Sequence, residues 1–135
     1  MGAEIDGVDL RRPLDPAAFD AVHDAVIRRE VIVMRDQDIV VDRQTAFGAP
    51  FSELSIHLVP PNLIDKPEVI LLGYSQDNPP VPTDIRHVDE TFRKAPLLAT
   101  ILRAKVVPAI GGDTLLASDD HRPPRIVGAH EAPHS

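Results

Sequence analysis

An imidazole and a carboxylate stand two residues apart at His87 and Asp89. In an extended backbone side chains repeat every second residue, so both point to one side and could share one ion. Together they are two thirds of the 2-His-1-carboxylate set, which holds Fe(II) on one face and leaves the opposite positions open for a co-substrate and oxygen. A second, distant His completes such a set. The spacing alone carries little weight, because in a chain of 135 residues with six His about 0.7 His-x-Asp triplets arise by chance. A surface His beside a solvated Asp is the ordinary alternative.

The residues beyond the pair change its weight. Glu90-Thr91-Phe92 is succeeded by Pro96, an apolar run from Leu98 to Ala104, Pro108, and then Gly111-Gly112-Asp113-Thr114. Two adjacent glycines make a tight turn that lets backbone approach a ligand closely, although Gly-Gly-Asp-Thr without context is an ordinary β-turn. The order and spacing of these pieces resemble the taurine dioxygenase (TauD/TfdA-like) family, the Fe(II)- and 2-oxoglutarate-dependent oxygenases that hydroxylate sulfonates, alkyl sulfates and aryloxyacetates. Upstream, Gly2 to Leu10, the strand and turn Val31 to Gln37, Ala46-Phe47 and Asp77 to Pro80 stand in that family's order. The resemblance runs over residues 2 to 118.

The resemblance implies a role for each matching position. His87 and Asp89 would be the first two metal ligands, with no further catalytic residue, and Thr114 would place its hydroxyl on a carboxylate of 2-oxoglutarate. His57 matches a position that faces the substrate in the sulfonate-specific members. The implied reaction oxidatively decarboxylates 2-oxoglutarate and hydroxylates a small sulfonate, sulfate ester or carboxylate. The family's distal His lies on a later strand and is followed by an Arg that clamps the far carboxylate through a bidentate pair. Neither is found in this sequence, and Arg86 stands where these enzymes commonly carry an aromatic. The tail residues His121, His130 and His134 are an alternative source of a third ligand, but their proline neighbours do not build a strand.

The elements that must position these residues are read from local pattern. Residues 2 to 10 alternate as a half-buried strand, with Ala3 and Ile5 facing in and Glu4 and Asp6 facing out. Asp15-Pro16 gives an N-cap and a proline at the first helical position, and Phe19, Val22, Val26 and Ile27 supply the apolar stripe; His23 lies beside that stripe. Val31 to Met34 and Val69 to Leu72 read as buried strands, and Asp42 as the cap of a short helix through Phe47. Asp77 to Asp84 is a proline-rich loop. Leu98 to Lys105 alternates, with Leu98, Thr100, Leu102 and Ala104 on one side and Ala99, Ile101, Arg103 and Lys105 on the other; Thr114 starts a returning strand.

Composition bounds the rest. A net charge of -7 argues against nucleic acid and anionic membrane as partners, and the lack of Cys removes thiol and disulfide chemistry and fits a cytoplasmic setting. Four Phe, one Tyr and fourteen Pro favour an aliphatic core threaded between turns. The expected architecture is therefore β-rich α+β: part of a double-stranded β-helix (jelly roll) with one or two flanking helices. Residues 1–118 would be the N-terminal part of the dioxygenase domain and 119–135 a polar Pro/His-rich tail, with homo-oligomers or association through open sheet edges expected. A non-catalytic fragment or a small metal-binding module is the rival expectation.

Overall fold

Asp15 begins the first helix as its sequence predicts. Its extended backbone (φ -68, ψ 163) places a carboxylate oxygen 2.8 Å from the Ala18 N–H, and Pro16 occupies the first helical position, where no N–H is needed. The structure, a computed structural model, describes residues 1–58, 62–75, 77–79, 87–88, 93–111 and 113–118. Within them the chain runs β1 (Ala3–Glu4), α1 (Pro16–Arg29), β2 (Ile32–Val33) and α2 (Val41–Gly48). No helix among the described residues is long and apolar enough to cross a membrane.

β1 and β2 are parallel, with Ala3 opposite Ile32 and Glu4 opposite Val33. Parallel neighbours need a crossover connection, and α1 supplies it. Backbone bonds extend the pairing past both ends, from Gly2 N–H to Arg29 C=O at 2.8 Å, Ala3 to Val31 at 2.9 Å and Ile5 to Val33 at 2.9 Å. The Gln37 side chain then acts as a further piece of ladder. Its carbonyl oxygen accepts from the Leu10 N–H at 2.9 Å, and its amide donates to Val8 C=O at 2.9 Å and to Arg35 C=O at 2.8 Å. One carboxamide thereby satisfies backbone groups in the segment after β1 and in the turn after β2.

The buried hydrophobic residues among those described are Leu10, Val22 and Ile39. Beside them Phe19, His23, Phe47 and Phe51 cluster, with Phe51 centred 4.9 Å from Phe19 and 5.4 Å from Phe47, both edge-on, and 5.8 Å from the stacked His23 ring. The buried stripe of α1 is therefore 19, 22, 23, 26, not the predicted 19, 22, 26, 27. Ile27 is 57% exposed. The true stripe keeps the i, i+3, i+4, i+7 spacing, and an imidazole that stacks on Phe51 fills its third position as well as an aliphatic residue would.

Other expectations shift in the same local way. α2 starts at Val41 with Val40 as its cap residue, and Val40 makes no side-chain capping bond; Asp42 lies in the first turn, pairing with Lys66 at 3.0 Å. A carboxylate there still favours the positive end of the helix. The expected strand at 69–72 is reduced to a single bridge, Asn62 to Ile70. Residues 98–105 and 114–117 join no sheet among the described residues. The fold is α+β in outline, with helices of 14 and 8 residues against two strands of 2. Residues 119–135, and most of the 77–84 loop, lie outside the described residues.

Candidate functional site

His57 lies in irregular chain after α2, and its side chain is exposed. Its backbone is nonetheless held on both sides. The Arg93 guanidinium donates to Ile56 C=O at 3.1 Å, and the Asn62 amide donates to His57 C=O at 2.9 Å. Asn62 is itself fixed by its bridge to Ile70 and by the turn that Leu63 N–H closes on Val69 C=O at 2.9 Å. Arg93 stands four residues past Asp89. Its bond to Ile56 therefore ties the His57 segment to the chain beyond the His-x-Asp pair.

His87 and Thr114 are also exposed, and His57 and His87 each make further interactions. Asp89 and Gly112 lie outside the described residues. Among the described residues, no three His, Cys, Asp or Glu side chains come together as a metal site. His87 and Asp89 have the right donor chemistry for Fe(II), one imidazole and one carboxylate, but the described donors do not complete a site.

The run between the two motifs docks against α2. Gln44 donates to Ile101 C=O at 3.2 Å, and the Ile101 side chain reaches to 3.1 Å from where a Cβ on Gly48 would sit. Arg103 pairs with Asp38 at 3.4 Å. Ile101 and Arg103, on one side of the alternation, thus reach α2 and the turn before it, while Leu102 on the other side is 74% exposed. A surface depression of about 500 Å³ lies here, lined by Asp36, Gln37, Asp38, Arg103, Ala104 and Lys105; His57, His87 and Thr114 do not line it.

Charge pairs stiffen the loops around this frame. Arg11 chelates Asp9 at 2.8 and 3.1 Å, and its hydrogen bonds hold the Asp9 carboxyl below the usual carboxylate value. Arg35 bonds Glu4 at 2.6 Å across the two strands, which raises the guanidinium's already high value. Asp42 does the same for Lys66. Arg93 and Asn62 escape a reading of the sequence, since nothing local marks an Arg or Asn as the partner of a carbonyl 37 or 5 residues away.

The chain belongs to the family described as taurine catabolism dioxygenase TauD, TfdA family, whose sequence model matches residues 1–119. Two curated relatives agree. The chain is 35% identical over 119 residues to an alpha-ketoglutarate-dependent sulfate ester dioxygenase of Pseudomonas putida, covering 87% of this chain and 38% of that protein. It is 31% identical over 121 residues to an alkylsulfatase of Acinetobacter baylyi, covering 89% of this chain and 37% of that one. It thus spans less than two fifths of the length of either relative. Among solved structures, AAD-2 in complex with Mn(II) and N-oxalylglycine is 35% identical over 40% of this chain and 20% of its own, with a TM-score of 0.39, an overlap too small to define a fold.

Proposed function

We propose that this chain forms the front part of an Fe(II)- and 2-oxoglutarate-dependent dioxygenase that hydroxylates a small sulfate ester or sulfonate. The family match across residues 1–119 carries the reading, because that range holds His57, His87, Asp89 and Thr114 in the order and spacing of the motifs. On this reading His87 and Asp89 are metal ligands, Thr114 binds a carboxylate of 2-oxoglutarate, and His57 faces the substrate. The names of the two curated relatives support the sulfate-ester class. Residues 1–118 then make up the first part of a double-stranded β-helix, with α1 and α2 on its flank. A third metal ligand and a basic group for the far carboxylate are contributed by polypeptide outside this sequence.

An anaerobic titration with Fe(II) and 2-oxoglutarate tests the division. Chelation of the metal by 2-oxoglutarate needs an ion held firmly with open positions. This chain alone is expected to give no charge-transfer absorption. A band that appears and weakens in Thr114→Ala would mean that the chain completes the site by itself, against the division proposed.

A further inference from the structure

We propose that Arg93 and Asn62 are positioning residues for the His57 imidazole; the inference rests on the reading of His57 as the residue that faces the substrate. The geometry is specific. Each peptide group is planar, so the backbone at one residue turns only about φ and ψ, between the planes on either side of its Cα. The Ile56 carbonyl belongs to the plane before His57 and the His57 carbonyl to the plane after it. Arg93 holds the first at 3.1 Å and Asn62 the second at 2.9 Å. One hydrogen bond on each plane restrains φ and ψ at His57, and with them the direction in which its Cβ leaves the chain.

No helix or strand performs this task, since His57 follows α2 by nine residues in irregular chain. The two donors come from separate places, one from the turn before Ile70 and one from the segment after Asp89, so they fix His57 relative to both. Asn62 also carries a mark of something other than stability. Its Oδ1 is buried without a hydrogen-bond partner among the described residues, which is unfavourable for folding and leaves the amide donor as the group the position uses. An imidazole that must donate to one oxygen of an anionic sulfate gains affinity when its direction is set before binding.

The test uses the 135-residue chain, labelled for NMR, with hexyl sulfate as the probe. The His57 ring resonances should shift saturably on titration, and His57→Ala should abolish binding. Arg93→Ala and Asn62→Leu, the latter nearly isosteric, should each weaken binding about tenfold, the size expected for a lost hydrogen bond to a charged or buried group. Their Ile56 and His57 carbonyl ¹³C resonances should move while far-UV circular dichroism is unchanged. Arg93→Lys, which keeps a cationic donor, should recover most of the affinity, a rescue that a purely structural role does not require. Wild-type affinity in both Arg93→Ala and Asn62→Leu, with loss in His57→Ala, overturns the positioning role and leaves the reading of His57 standing. Equal binding by wild type and His57→Ala, or none by wild type, overturns that reading and this inference with it.

Discussion

Gln44 and Ile101 are 57 residues apart, and a hydrogen bond of 3.2 Å from the Gln44 amide to the Ile101 carbonyl joins them. One helical turn further on, Gly48 leaves the space that the Ile101 and Leu54 methyl groups occupy, 3.1 and 3.2 Å from an added Cβ. The run between the His-x-Asp pair and the Gly-Gly-Asp-Thr turn is held to α2 in this way. Gly48→Val should therefore destabilise the fold by about 1–3 kcal/mol, since a branched side chain there displaces two neighbours and is a poor helix former. Urea unfolding would show it as a lower midpoint, and an unchanged midpoint would mean that 98–103 does not dock at Gly48.

At the end of α1, Glu30 adopts φ 67 and ψ -39 while its N–H bonds Val26 C=O at 2.8 Å. This lies near the classic γ-turn region, which is strained for a residue with a Cβ. Glu30→Gly should raise stability by roughly 1 kcal/mol, because relief of that strain outweighs the added freedom of the unfolded chain. A lower melting temperature in this variant would contradict the assigned backbone.

The Asp9–Arg11 chelate gives a dependence on acid. Hydrogen bonds from Arg11 lower the Asp9 value below 3.8 in the folded chain. The contribution is thus fully present above 3.8 and is lost as pH falls from there through the lower folded value. The stability difference between wild type and Asp9→Asn should shrink in that window. A difference that stays constant from neutrality to well below 3.8 would show that the chelate adds nothing to stability.

Self-association is expected from the second half of the described chain. Leu102, Val106, Ile110 and Leu115 are 74, 88, 92 and 93% exposed, within a run whose backbone has no ladder partner among the described residues. Apolar extended chain of this kind is a template for pairing. Light scattering should report species above the 14.8 kDa chain, and Leu102→Lys with Leu115→Lys should reduce them. A monodisperse monomer with slow amide exchange over 98–117 would count against open edges.

What the sequence disclosed was local. Asp15-Pro16 marked the start of α1 to the residue, because cap and proline act within one turn. Alternation placed Ile101 and Arg103 on one side, but did not say that this side, rather than that of Leu102, meets the rest of the chain. The face of α1 was misjudged by one position, since hydropathy ranks Ile27 above His23 while packing against Phe51 ranks them the other way. Strand pairing at 98–105 was not legible, because a period of two reports which way side chains point and nothing about what lies alongside. The Arg93 and Asn62 bonds on either side of His57 had no local signal at all.

His87 and Asp89 are the pair on which the proposed chemistry depends, and calorimetry tests them most directly. Co(II), titrated into the purified chain as a stand-in for Fe(II), should bind weakly, as two protein ligands allow, and His87→Ala and Asp89→Ala should each abolish the heat of binding. Binding that persists unchanged in both variants would place the metal elsewhere, with the histidines of the tail as the next donors to replace, and would contradict the assignment of His87 and Asp89.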